Sequence, residues 1–250
     1  MLFAKSYHVV EKKILVKYFE IISKNKTLLS IFTKKILMKI LVIAATEKEI
    51  EPIYEVLQKN CNLITNNLIT TIIGGVGQTS SAFTITKTLS EAKFDLVINA
   101  GIAGSYNKSL KIGQTVWVKN EQFPDLGAET ESGILNLNEI GLSDNKNRII
   151  KSEFLNSNLF PKNIEKVNGI TSDTIHSLTN TTDWIIRKYS PDVESMEGGA
   201  IMFCCNKFKV PCVQIRSISN YVGVRDKSKW DIDLAIKNLN KYLISYINEI

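Results

Sequence analysis

Histidine and cysteine are scarce in this 250-residue chain, and those present are poorly spaced for metal or disulfide chemistry. The two histidines, His8 and His176, lie far apart, and Cys61, Cys204, Cys205 and Cys212 form no C-x-x-C pair. That removes the usual metal-ligand spacings and the disulfide framework of small secreted domains. The cysteines read as reduced, buried thiols of a cytoplasmic protein, and no metal or other cofactor is expected. No run of 18 or more apolar residues occurs, so nothing reads as a transmembrane helix. Lysines interrupt every apolar run near the N-terminus and no small-residue cleavage site follows, which argues against a secretory signal. Arginine is absent before Arg148.

An excess of one charge is also missing from most of the chain. The net charge is +6, with 31 basic and 25 acidic residues. Residues 1–37 hold eight of the lysines and two of the glutamates, so the rest carries 23 residues of each sign. A chain balanced in this way has no basic footprint for phosphate backbones, and no nucleic-acid partner is expected. The apolar share of 44% and charged share of 22% are those of an ordinary globular protein, long enough for one large core. Residues 1–37 read as a basic N-terminal extension, a mistaken upstream start ahead of a natural start at Met38. The alternative is a basic amphipathic arm that touches a membrane or a partner.

From Met38 the pattern alternates. Residues 38–45 read as a buried first strand. A helix is expected over 47–58, where Ile50, Ile53, Tyr54 and Leu57 share one face. Strands are then expected over 68–73, 94–99, 115–119, 166–171 and 210–218. Helices are expected over 79–92, 182–188, 197–208 and 232–247. Gly74-Gly75-Val76-Gly77 and Ala100-Gly101-Ile102-Ala103-Gly104 read as the turns that end two strands, and 121–163 as loop-rich. No internal repeat or linker divides residues 38–250, which read as one domain. Alternating strands and helices give an α/β class, a three-layer αβα fold around a mixed, largely parallel sheet.

Glu194-Ser195-Met196-Glu197-Gly198-Gly199-Ala200 runs from a strand end into a helix, and Ser219-Asn220-Tyr221 follows the end of another strand. An acid and an amide at such ends line the crevices where open α/β sheets bind ligands. Each also has a plain reading. Glu49 and Glu197 suit the dipole of a helix N-terminus, Met196 a core gap, and His176 a surface loop. Gly74–Gly77 serves equally as an anion cradle or as a tight turn.

Taken with Ala44-Ala45-Thr46-Glu47-Lys48-Glu49, Ser195-Met196-Glu197-Gly198 and Arg216-Ser217-Ile218-Ser219-Asn220, the chain from Met38 resembles the purine nucleoside phosphorylase and nucleosidase superfamily. Within it, the futalosine hydrolase group is the best match. The resemblance implies hydrolysis of the N-glycosidic bond of a nucleoside, with Glu49 as general base, Glu197 gripping the ribose hydroxyls and Asn220 meeting the base. It also implies Ser195 and Met196 at the sugar, Ala100-Gly101 under the base, and Ile175 and His176 in the segment that reads the purine edge. Thr46-Glu47-Lys48-Glu49 stands where phosphorylases of the superfamily carry a Gly-Asp-Pro turn and phosphate-binding arginines, which favours water over phosphate. Gly74 stands where nucleosidases often have a serine. Asn at 220, where adenine-specific nucleosidases carry Asp, fits a 6-oxopurine such as the hypoxanthine of futalosine, because its amide donates. Arg216 and Arg225 are the candidates for the benzoate end of that substrate. Methylthioadenosine/adenosylhomocysteine cleavage is the alternative, and a nucleoside-binding protein that kept the fold is the non-enzymatic one. Relatives pair as dimers, so a homo-oligomer is expected.

Overall fold

The computed structural model describes residues 38–59, 63–64, 67–131, 133–143, 149–223 and 226–250. The N-terminal extension, Cys61 and Arg225 lie outside these. Met38–Ile250 forms one compact unit.

The first strand, β1 (Lys39–Ala44), shows how the sequence sets the layers. Every residue after Lys39 is buried, as expected of a parallel strand covered on both faces. Ile40, Val42 and Ala44 enter one apolar cluster, Leu41 and Ile43 the other. Helix α1 (Glu47–Lys59) lays Ile50, Ile53 and Leu57 on the first face, beside the C-terminal helix α5 (Ile232–Glu249) with Leu239, Leu243, Tyr246 and Ile247. Helices α2 (Gln78–Glu91) and α4 (Gly198–Lys207) cover the second face with Ile85, Leu89, Ile201, Cys204 and Cys205. These two layers and the sheet make the expected αβα sandwich.

The other strands are β2 (Leu63–Ile64), β3 (Asn67–Ile73), β4 (Leu96–Ser105), β5 (Thr115–Gln122), β6 (Gly127–Thr130), β7 (Gly133–Asn136), β8 (Ile150–Lys151), β9 (Glu165–Thr171), β10 (Val193–Ser195) and β11 (Cys212–Tyr221). Helix α3 (Thr179–Tyr189) lies between β9 and β10. The sheet order is β10-β9-β5-β11-β4-β1-β3-β2, with β8 on β5 and with β6–β7 as a separate hairpin. Strands β3, β1, β4 and β11 are parallel, and β5 joins β11 antiparallel. Antiparallel pairing of β10 with the far end of β4 then closes a five-strand ring, β4-β11-β5-β9-β10. Ala103, Val116, Val118, Val167, Val193 and Ile218, from all five strands, fill its interior with Leu110.

Three expectations change here. The glycines at 101 and 104 do not end a strand: β4 runs on through them to Ser105, paired with Arg216 and Asn220 of β11. Asn220 accordingly stands inside β11, where the register shifts between Ile218 and Asn220, rather than beyond its end. The stretch 121–163 also contains the end of β5, the β6–β7 hairpin and β8. No helix among the described residues is long and apolar enough to cross a membrane, and no cluster of metal-binding side chains occurs among them.

Candidate active site

On the face covered by α2 and α4, side chains near the C-terminal ends of β4 and β11 turn from apolar to polar. Here the elbows β1–α1 and β10–α4 bring Glu49 and Glu197 around Arg216. Glu49 belongs to the first turn of α1 yet is only 6% exposed, so it is not a solvated dipole partner. Its Oε2 accepts from Thr46 N at 2.9 Å and Thr46 Oγ1 at 3.0 Å, and its Oε1 accepts from Ile102 N at 3.0 Å. Three acceptor positions are filled, and Oε1 keeps a free lone pair. Gly101 shows what lies beside that oxygen. A Cβ there would come 2.9 Å from Glu49 Oε1 and overlap the Arg216 guanidinium, so only glycine leaves both groups in place.

Glu197 occupies the N-cap position of α4 but does not cap it. Ser195 Oγ accepts from Gly198 N at 3.2 Å and Thr171 Oγ1 from Gly199 N at 2.7 Å, which meets the need for acceptors at the helix start. The Glu197 carboxylate is thereby left free to turn toward Gly77 and Arg216. Its Oε1 accepts from Gly77 N at 3.1 Å, and its Oε2 lies 3.8 Å from Arg216 Nη2. Burial raises its pKa above the ordinary carboxyl value, opposed by Arg216 and the Gly77 N–H and reinforced by Glu49.

The start of α2 receives carboxylates of the protein itself. Gly77, at φ 88°, gives its N–H to Glu197, and Gln78 N donates to Asp173 Oδ1 at 2.7 Å. The turn is tight, and these two amides are taken by carboxylates of the chain itself. Arg216 is also resolved differently from expectation. It is 1% exposed, and Nη2 donates to Asn99 Oδ1 at 3.2 Å. This burial, among Asn99, Glu197 and Gly101, makes it unsuited to the distal carboxylate of a long substrate. Arg225 lies outside the described residues.

Asn220 is 8% exposed and its amide orientation is fixed. The Tyr221 carbonyl can only accept, so Nδ2 must face it, at 3.1 Å. Oδ1 then accepts from Ser219 Oγ at 2.8 Å. One N–H of the Nδ2 amide remains for a ligand. A Cβ on Gly104 would lie 3.4 Å from Nδ2 and 3.5 Å from Glu194 Cγ, so the neighbouring buried cluster borders Asn220. In that cluster Glu194 Oε2 takes His176 Nδ1 at 2.9 Å and Tyr106 Oη at 2.8 Å, and Oε1 accepts from His176 N at 3.3 Å. His176 is thus a buried partner of Glu194 rather than a surface residue, while Ile175 beside it is 42% exposed. Ala100 has its methyl in the α1/α5 core, so it offers a ligand only backbone. Met196 is half-buried at the elbow.

Sequence reasoning passed over the polar layer behind Glu197, namely Asn99, Glu121, Thr171 and Gln214. All four are buried, and Glu121 has no exposed surface. Glu121 fell at the edge of a stretch read as loop, and a register shift between Val118 and Asn120 turns it inward. The arrangement as a whole offers one carboxylate with a free lone pair, a second carboxylate with a raised pKa, a fixed cation between them and an amide donor.

A profile described as the phosphorylase superfamily matches residues 39–248. A futalosine hydrolase from Thermus thermophilus is 25% identical over 168 residues, covering 66% of this chain and 75% of that protein. A 5'-methylthioadenosine/S-adenosylhomocysteine nucleosidase from Buchnera aphidicola subsp. Baizongia pistaciae is 29% identical over 233 residues, covering 82% of this chain and 88% of that one. Among solved structures, a mutant Helicobacter pylori nucleosidase with 5'-methylthioadenosine in its active site superposes with TM-score 0.72 at 20% identity, over 85% of this chain and 99% of that one. Helicobacter pylori futalosine hydrolase superposes with TM-score 0.71 at 20% identity, over 86% and 99%.

Proposed function

The chain belongs to the phosphorylase superfamily, and from that premise we propose that it hydrolyses the N-glycosidic bond of a purine nucleoside, with futalosine as substrate. The products would be hypoxanthine and dehypoxanthine futalosine, a step of menaquinone biosynthesis. The observation that carries the hydrolytic reading is the pair of buried carboxylates, Glu49 and Glu197, around the fixed Arg216 guanidinium. The free lone pair of Glu49 Oε1 takes a proton from water as that water attacks the anomeric carbon. The C–N bond electrons leave with the base, and the positive charge that develops on the sugar is stabilised by the nearby anions. Glu197 accepts from the ribose hydroxyls. Two of the amides at the start of α2 are held by Glu197 and Asp173, which argues for water over phosphate as nucleophile.

The choice of base rests on Asn220. Its orientation leaves an amide donor, which suits N7 or O6 of a 6-oxopurine. It holds no acidic proton for a departing adenine. The departing hypoxanthine therefore relies on hydrogen bonding, with water supplying its proton. One observation favours methylthioadenosine instead: the Buchnera nucleosidase aligns over more of both chains than the Thermus futalosine hydrolase does. The test is base release, followed by chromatography without phosphate, from futalosine and from methylthioadenosine. We expect hypoxanthine from futalosine at the higher kcat/KM, unaffected by added phosphate. Preference for methylthioadenosine would reject the futalosine assignment, and a requirement for phosphate would reject hydrolysis.

A further inference from the structure

Glu121 of β5 is a buried carboxylate that the proposed reaction leaves without a task. Both its oxygens are engaged: Oε1 accepts from Gln214 Nε2 at 2.7 Å and Oε2 from Thr171 Oγ1 at 3.0 Å. The Thr171 hydroxyl in turn accepts from Gly199 N, in the first turn of α4, two residues beyond Glu197. The backbone is fitted closely around this carboxylate. A Cβ on Gly198 would overlap Glu121 Oε1 and Gln214 Nε2, and one on Gly169 would lie 2.6 Å from Oε1. Two adjoining elements bring charge to it: Arg216 from β11 and Glu197 from the start of α4.

We propose that Glu121 is a positioning residue that fixes the start of α4, and with it the Glu197 carboxylate, through Thr171 and Gly199. The inference rests on the nucleosidase reading of Glu197 and adds to it a group that never touches substrate. In this arrangement Glu121 is the acceptor, with Gln214 Nε2 and the Thr171 hydroxyl as its donors. Protonated, it would either turn a donor toward the Gln214 amide or reverse the Thr171 hydroxyl, and both disturb the link to Gly199. Burial pushes its pKa up to about 7, against the lowering by Gln214, Thr171 and Arg216. The acceptor state is thus lost within the working range of a cytoplasmic enzyme, and turnover should rise with pH through that range.

The test is Glu121→Gln, which keeps shape and removes the charge. We expect kcat to fall roughly 10- to 100-fold, on the scale of a misplacement of about 1 Å, with KM changed less and the limb of the kcat–pH profile near 7 lost. Wild-type turnover with a wild-type profile would overturn the proposal. A second measurement needs no activity. In protein with 13C-labelled glutamate carboxyls, the Glu197 signal, identified by its loss in Glu197→Gln, should titrate in two steps, its own and one that follows Glu121. The second step should vanish in Glu121→Gln, and an identical titration in both proteins also overturns the proposal. If Glu121→Gln does not fold, Thr171→Val carries the kinetic test: a similar fall in kcat supports the positioning role, and wild-type turnover ends it. A wild type inactive on every purine nucleoside would sink the proposed function, and the carboxyl titration would then decide this inference alone.

Discussion

Along β4, Leu96, Ile98 and Ala100 turn toward α1 and α5 and stay apolar, while Val97, Asn99 and Gly101 turn toward α2 and α4 and become polar or side-chain-free. Strand β11 repeats the contrast, with Val213 and Ile215 on the first face against Cys212, Gln214 and Arg216 on the second. Both faces are equally buried, so exposure does not explain the difference. The α1/α5 face is mainly apolar and stabilises the fold by being removed from water, with Asn240 of α5 a buried polar exception that accepts from Ile53 N and donates to the Glu49 carbonyl. The α2/α4 face departs from this where the strands end. Arg216 Nε, Gln214 Oε1 and Asn99 Nδ2 are buried there without hydrogen-bond partners. Burying such groups costs stability. One sheet thus has a face that carries stability and a face that gives some of it up.

The largest expected effects separate the two faces. Leu243→Ala, in the α1/α5 core, should cost about 2–5 kcal/mol of stability and leave the preference between nucleosides unchanged. Glu49→Gln should do the reverse. Its fold should survive, while turnover falls by about 2 or more orders of magnitude as expected for a lost general base. Thermal unfolding and base-release rates of both variants give the answer. A Glu49→Gln enzyme with near-normal turnover would remove Glu49 from the mechanism and blur the contrast.

Next in size is the pH dependence of stability that Glu121 imposes. Between 4.5 and about 7 the unfolded chain ionises this carboxyl while the fold keeps it protonated. The native state then binds more protons, so stability from this group falls as pH rises through that window and levels off above it. The span is on the order of 3 kcal/mol. Urea unfolding of wild type and Glu121→Gln from pH 4.5 to 8 should show a loss in wild type that is absent in the variant. Parallel curves would mean that Glu121 carries no such penalty.

The apolar face was the legible part. Hydrophobic patterning located β1, α1, α2, α4 and α5 to within a few residues, a continuous apolar run in β1 and apolar positions flanked by turn and cap residues in the helices. Glu49, Glu197 and Asn220 were marked by resemblance and by their place at element ends, but not their partners. Ser195 and Thr171 take over the N-cap of α4, which only the fold reveals. Arg216 was matched to a substrate carboxylate because its burial is invisible in a strand pattern that continues around it. Gly101 and Gly104 read as turn residues, whereas Gly101 is set by the overlap a Cβ would make with Arg216. Glu121 was lost to a register shift that reverses inward and outward positions. Pairing across 48 residues, Glu121 with Gly169, determines that reversal, and no local window contains it.

Asn220→Asp is a smaller change, and it sharpens the polar face rather than removing it. The Tyr221 carbonyl 3.1 Å from Nδ2 would then face a carboxyl oxygen. Ionised, that oxygen repels both this carbonyl and the O6 of a 6-oxopurine. Protonated, it has one hydrogen for two acceptors. Each lost or repulsive contact should cost about 1–3 kcal/mol, or roughly 5- to 150-fold in kcat/KM for futalosine. Relative activity on methylthioadenosine should rise. An unchanged ratio of the two constants would mean that Asn220 does not choose the base.

The smallest effect should come from removing residues 1–37. The described residues from Met38 onward form an apolar cluster on each face, and the Met38 carbonyl accepts from Leu68 N at 2.9 Å at the head of the β1–β3 pairing. The charge of the remaining chain is balanced, so the basic segment has no acidic excess to neutralise there. We expect residues 38–250 to unfold at the temperature of the full chain and to release base at the same rate. The check is a side-by-side melt and assay of the two proteins. A fall in Tm of more than about 4 °C, roughly 1 kcal/mol for a domain of this size, would show that the segment adds to the α1/α5 or α2/α4 packing. An effect confined to activity would instead tie it to the polar face.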